Sequence, residues 1–201
     1  MKMDEQELED AVARRYLWEY KLDNPRYGRA AFAKVRRGAG REPGTVPEMW
    51  KFHLHLEGDQ TDWRTNAEHH ALVLFGFHQQ SSSTKVHRKG ASLGSAIWQL
   101  RDRFSSDAVD ARFFRAVTAE DLNELALHLR GLVTQLRSLD PVPAIDYSAL
   151  VEDLTRWQNP AQIDRIRRKW GSQYHRAGVE SETSRGDSSS KEGAGDSGVS
   201  A

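Results

Sequence analysis

The residues Gly90-Ala-Ser92-Leu-Gly94 satisfy the G-x-S-x-G pattern that presents a nucleophilic serine in α/β-hydrolases. That chemistry needs an apolar strand leading into a strained turn, so that the hydroxyl stands above a sheet. The residues before it, Ser83-Thr-Lys-Val-His-Arg-Lys89, are hydrophilic, and no α/β pattern runs through the chain. The same residues have a plainer physical reading. Gly90 turns the chain, Ser92 caps the next helix and Gly94 permits close helix packing. A hydrolase using Ser92 is a competing class that a fluorophosphonate probe would expose.

The histidine pairs suit metal binding no better. His53 and His55 are two apart, which on a helix points the rings in different directions, and His69 and His70 are adjacent. Neither pair has zinc-ligand spacing, and the chain has no cysteine to complete a site. No metal and no other cofactor is expected. Asp102, Asp110 and Glu124 sit beside arginines in helix-surface patterns, the usual solvated face. Gly38-Ala-Gly40 follows a helix instead of opening one, the wrong polarity for an anion at a helix N-terminus.

The basic residues cluster. Arg29, Arg36 and Arg37 lie near Lys34 on one segment, opposite Ala30, Ala31 and Phe32. Lys85, Arg88 and Lys89 load the next polar loop, and Arg101 and Arg103 extend the helix after it. Arg165, Arg168 and Lys169 form a second-choice cluster, opposite a stripe of Ile163, Ile166, Trp170 and Tyr174. Each cluster alone reads as a solvated face. Together they suit a surface that tracks a phosphate backbone, with arginine stems packed and guanidinium groups reaching phosphates.

The elements that must position these residues are almost all helical in period. Helices are expected over Glu7–Leu22 (stripe Leu8, Val12, Tyr16, Tyr20), Tyr27–Arg37, Asp62–Gln79, Ser92–Phe104, Asp107–Val117, Asp146–Trp157 and Ala161–His175. Pro47–Leu56 reads as helix or short strand. Thr118-Ala-Glu-Asp121 resembles a capping box opening a further helix with the stripe Leu122, Leu125, Leu129, Leu132, Val133, Leu136. Ser81–Gly90 reads as a mobile loop. The expected fold is all-α, a compact domain of about eight or nine helices over residues 1–177.

Residues 178–201 are nearly all Gly, Ser and charged, and are expected to form a disordered tail. The 201 residues carry 29 basic and 29 acidic side chains. Setting aside the tail's two basic and five acidic residues leaves a mildly basic body with 27 and 24. Without cysteine a disulfide framework is excluded, which fits a reducing cytosol. No apolar run approaches the ~18 residues of a spanning helix, and MKMDEQELED is too acidic for a signal peptide.

An ordered series of segments resembles one family. It begins with Gly28-Arg-Ala-Ala-Phe-Ala-Lys-Val-Arg-Arg37 and Phe77-His-Gln-Gln80, then Gly90-Ala-Ser-Leu-Gly94 with Leu100 and Arg103-Phe104. Leu127-His-Leu-Arg130-Gly-Leu-Val follows, then Asp146-Tyr147, Leu150, Asp153-Leu154 and Trp157-Gln158, and finally Arg167, Trp170 and Tyr174. Across roughly Asp10 to Arg176 the chain resembles the CasB family, the small subunit of the type I-E CRISPR surveillance complex, Cascade. The Ser-rich tail and the polar Ser81–Thr84 depart from the family pattern.

The resemblance implies a non-enzymatic, cytoplasmic helical subunit, present as a pair along the inner face of the Cascade backbone. Its implied partners are the backbone and large subunits, a second copy of itself, CRISPR RNA and target DNA, with no membrane. Its implied role in antiviral defence is to help hold the CRISPR RNA and target strand and to stabilise the displaced strand of the R-loop. A helical protein-interaction scaffold that binds no nucleic acid is the alternative.

Overall fold

The computed structural model describes residues 15–20, 28–58 and 60–191, with the side chains of residue 182 and of residues 184–191 excepted. Among them are seven α-helices: α1 (Arg29–Arg36), α2 (Trp63–His78), α3 (Leu93–Trp98), α4 (Ser106–Val117), α5 (Leu122–Leu136), α6 (Tyr147–Trp157) and α7 (Ile163–Lys191). Three 3-10 helices join them: Leu17–Glu19, Pro47–Phe52 and Gln99–Asp102. The only sheet-like pairing among the described residues is a single parallel bridge between His87 and Ile145. The all-α expectation holds.

α2 is the axis of the fold. It is buried nearly all round, from Ala67 to Gly76, and α1, α5 and α6 all pack on it. A helix apolar on every side can only sit inside other helices. Its one buried carboxylate, Glu68, accepts hydrogen bonds from the backbone N–H groups of Leu54 (2.6 Å) and His55 (3.0 Å), so its burial is compensated. Gly76 lets α1 approach closely: a Cβ there would lie 2.5 Å from the Val35 side chain and 3.0 Å from the Phe32 carbonyl.

The second layer is α3 against α7, the most intimate pair in the molecule. Gly94 makes it possible, because a Cβ there would lie 2.5 Å from the Trp170 carbonyl oxygen and 2.7 Å from the Tyr174 nitrogen. Ser92 caps α3 by accepting from the Ser95 N–H at 3.1 Å, and Gly90 turns the chain at φ +79°. All three residues of the serine motif therefore play the structural parts read from the sequence. The stripe Leu122, Leu125, Leu129, Leu132, Val133 and Leu136 is buried throughout.

Four local expectations are corrected. Within Glu7–Leu22, the described residues 15–20 are not α-helical: Tyr16 and Tyr20 are extended around a single 3-10 turn. The cause is tertiary. Leu17 and Trp18, adjacent in sequence, are both buried, and Trp18 sits against Phe75 and Tyr147 while its Nε1 donates to Ser148 Oγ at 2.9 Å. Leu8 and Val12 of the expected stripe lie outside the described residues.

The capping box falls one motif later than expected. Thr118 ends α4, donating from Oγ1 to the Phe114 carbonyl at 2.8 Å. Asp121 caps α5 by accepting from the Glu124 N–H, and Glu124 reaches back to the Glu120 N–H, both at 2.8 Å.

The loop over Ser81–Gly90 is pinned instead of free. Val86 is fully buried, and the Gln79 side chain donates to Thr84 O (2.8 Å) and accepts from Val86 N–H (3.0 Å). The Ile145 N–H donates to Val86 O at 2.9 Å, and Gly90 N–H donates to Asp146 Oδ2 at 2.7 Å.

The last helix runs past His175 to Lys191, so residues 178–191 continue α7, and residues 192–201 of the expected tail lie outside the described residues. Gly178 rests on the Trp98 indole, which carries the helix a turn beyond its apolar stripe, and adding residues to an existing helix needs no new nucleation.

Candidate nucleic-acid interface

Ser92 lines a cleft of about 200 Å³ with Asp146, Asp153 and Lys169, but no histidine lines it among the described residues. The Asp146 and Asp153 carboxylates are already committed. Asp146 caps α6, accepting from the Ala149 N–H at 3.0 Å, and the buried Asp153 takes Lys169 Nζ on both oxygens at 2.7 Å and Trp170 Nε1 at 2.8 Å.

His69, His70 and His78 are core groups, while His53 and His55 are partly buried. His53 and His69 stack with ring centroids 5.7 Å apart, and His78 Nδ1 lies 2.9 Å from the Tyr147 hydroxyl. Burial pushes His69 and His70 down to about 4 and His78 to about 3, so all three are neutral at physiological pH. No group of three His, Cys, Asp or Glu side chains among the described residues could hold a metal ion.

The nominated basic residues separate by partner. Arg29, Arg88, Lys89, Arg165 and Arg168 are exposed. Arg37 is ion-paired with Glu48 on the surface. Lys85 donates to the Tyr20 carbonyl at 2.7 Å, and burial lowers its pKa. Lys169 is held by Asp153, as described above.

Arg101 is drawn inward. It forks onto the Asp110 carboxylate, donates to the Tyr174 hydroxyl at 3.2 Å, and lies over the Trp98 and Tyr174 rings at 5.8 and 5.6 Å. Hydrogen bonds from Arg101 and Tyr174 hold Asp110 below the usual carboxylate range against the opposing effect of burial. Burial and the Asp110 hydrogen bond push the Tyr174 hydroxyl up to about 12. This cluster ties the 3-10 turn after α3, α4 and α7 together.

Arg36 and Arg103 belong to a different arrangement, at the C-terminal end of α2. Arg36 donates to the Gly76 carbonyl at 3.2 Å, and burial together with the neighbouring Arg137 guanidinium lowers its pKa. Arg137 donates to Gln80 Oε1 at 3.4 Å, while its Nε is buried without a hydrogen-bond partner among the described residues. Arg130, one face along α5, lies 5.6 Å over the Phe77 ring, and Arg103 donates to the Ser138 carbonyl at 2.7 Å.

Arg36, Arg130 and Arg137 have no carboxylate partner among the described residues. The carbonyl end of α2 offsets part of their mutual repulsion. What remains is a set of guanidinium forks suited to phosphate oxygens. Reasoning on clusters in sequence missed Arg130 and Arg137. The signal was their seven-residue spacing, which puts Arg130 and the C-cap residue Arg137 on one side of α5.

Fold and site together define an all-helical domain with an arginine-rich end and no helix among the described residues long and apolar enough to cross a membrane. The sequence profile described as CRISPR-associated protein Cse2 matches residues 31–175. The chain belongs to this family, Cse2 or CasB.

A curated relative, CRISPR-associated protein Cse2 of Thermus thermophilus, is 27% identical over 166 residues, covering 82% of this chain and 90% of the relative. Among solved structures the chain is similar to CasB from Thermobifida fusca, with 32% identity and a TM-score of 0.62 over 77% of this chain and 88% of that one. M. ruber CasB gives 26% and 0.61 over 84% and 93%. A chain of a CRISPR RNA-guided surveillance complex shares the fold at 23% identity and a TM-score of 0.55, over 82% and 90%.

Proposed function

We propose that this protein is a non-catalytic, cytoplasmic small subunit of a type I-E Cascade complex that grips nucleic acid by its phosphates. The observation that carries the reading is the arginine end: Arg36 against Arg137, with Arg130 beside them and no carboxylate partner for the three among the described residues. Arg103 adjoins them, and Arg29, Arg88 and Lys89 add exposed positive charge. Family membership and the fold shared with a chain of a CRISPR RNA-guided surveillance complex support the place in the assembly.

The role needs no base readout. Exchanging a DNA duplex for an RNA–DNA heteroduplex is close to energetically even, so modest phosphate contacts tip it. The partners are the other Cascade subunits, a second copy of this chain, CRISPR RNA and target DNA. The half-exposed Trp50, Trp63 and Phe114 suit the protein contacts.

Two experiments test this. Co-expression with Cascade subunits and a CRISPR RNA should yield a complex containing the chain. Single-stranded DNA should bind the chain with an affinity that falls steeply with salt. Assembly without any nucleic-acid contact would leave the scaffold reading in its place.

A further inference from the structure

Beside the arginine end, a groove of about 300 Å³ crosses α2 between the turn after α1 and the outer side of α5. That is the lower end of the ~300–1,000 Å³ typical of small-molecule sites. Val73, Leu74 and Leu127 give it apolar walls, and Arg41 and Arg130 line it with positive charge. Leu127 is 55% exposed, whereas the other leucines of α5 are buried.

His70 also lines the groove and is only 7% exposed. Its Nε2 is buried and makes no well-aligned hydrogen bond among the described residues, and the Asn123 side chain, which also lines the groove, is its polar neighbour. The ring is neutral at physiological pH, so it can meet either a donor or an acceptor according to its tautomer.

We infer that this groove receives one unstacked nucleobase from a single strand whose phosphates run over Arg36, Arg130 and Arg137. The inference rests on the nucleic-acid reading above and deepens it. A base offers flat apolar faces and a polar edge. The exposed Leu127 matches a face, and the Asn123 amide beside His70 the edge. Arg130 lines the groove and also lies over Phe77 in the arginine end, so one strand can pass from phosphate contacts to the groove without a gap. Glu42 also lines the groove, but two arginines outweigh it, and the guanidinium groups beyond favour a polyanion over an apolar peptide.

The test titrates the full chain with oligothymidylate and with an abasic strand of equal length, each in deoxyribose and ribose form. The intact strand should bind about tenfold tighter than the abasic one, the size of a single base contact. The sugar form with the larger difference identifies the strand. Leu127→Ala should shrink the difference to about threefold while leaving the salt slope and the circular dichroism unchanged.

Equal affinity for intact and abasic strands, with salt dependence kept, overturns the groove inference and spares the phosphate reading. Failure to bind any strand overturns both. If Leu127→Ala keeps the base preference but weakens recovery of co-expressed Cascade subunits, the groove is a protein-docking site and the inference falls.

Discussion

Arg36 and Arg137, from opposite halves of the chain, bring two guanidinium groups to the same end of α2, where burial and the Arg137 charge lower the pKa of Arg36. Arg36 spends one N–H on the Gly76 carbonyl and Arg137 one on the Gln80 side chain. Both keep further donors in the fork. A phosphate between them would relieve the repulsion and use those donors at once.

Replacing Arg36 or Arg137 by Ala should therefore reduce the slope of log K against log salt by roughly 0.7 per residue for single-stranded DNA. The loss should be the same for unrelated sequences, because phosphates carry no base information. Filter-binding titrations over a salt series provide the measurement. An unchanged slope in the double variant would move the search to Arg165 and Arg168.

Arg101→Ala should behave in the opposite way. It leaves the Asp110 carboxylate without its forked partner, and each hydrogen bond to a charged group is worth about 1.5–3 kcal/mol. Urea unfolding should show the lost stability, while the salt slope for DNA stays that of the wild type. A normal unfolding midpoint with a reduced slope would make Arg101 a phosphate ligand after all.

Ser92→Ala and Gly94→Ala separate a cap from a contact. The first should cost about 0.5–2 kcal/mol, the loss of an N-cap, and abolish no activity. The second drives a methyl group into the backbone of α7 and should cost about 1–3 kcal/mol or more, since neither helix can yield locally. Unfolding curves should rank the two in that order. A Ser92-dependent esterase activity would contradict the non-catalytic reading.

Acid should destabilise the fold through His69, His70 and His78. Their folded pKa values, about 4, 4 and 3, lie below the unfolded value near 6.5. Above that value both states are neutral and the histidines cost nothing. As pH falls below it, the unfolded chain takes up protons that the folded chain refuses, so stability declines until the folded values are reached. The decline should be on the order of 1–2 kcal/mol per histidine by pH 5, read as a lower urea midpoint than at pH 7. A flat profile between pH 7 and pH 5 would contradict the neutral, buried assignment.

Deleting residues 178–201 should leave the thermal midpoint nearly unchanged. Val179 is 64% exposed, and Gly178 offers Trp98 only a backbone contact. The segment carries two basic and five acidic residues, so its loss should tighten DNA binding slightly at low salt. A drop of many degrees in the melting temperature would show that the end of α7 is held by more than its own helix.

The sequence alone was enough for several features decided within a few residues, although it placed the capping box of α5 three residues early. Gly90, Ser92 and Gly94 read correctly because a positive φ, a cap and a close approach are demands on single positions. The α5 stripe read correctly because a 3.6-residue period points side chains in known directions. The series of segments from Gly28 to Tyr174 was enough to name the family. What lay beyond reach was set by helices meeting.

Trp18 is fully buried only because Phe75 and Tyr147 are there to cover it, and that contact replaces the expected helix with an extended turn. Arg101 and Arg36 look alike in sequence, each a basic residue in a polar run. Only the docking of α4 and α7 gives Arg101 a carboxylate and a ring to rest on, and only the end of α2 gives Arg36 a second arginine for a neighbour. A charge's role depends on what the folded chain sets against it, and those partners are far away in the sequence.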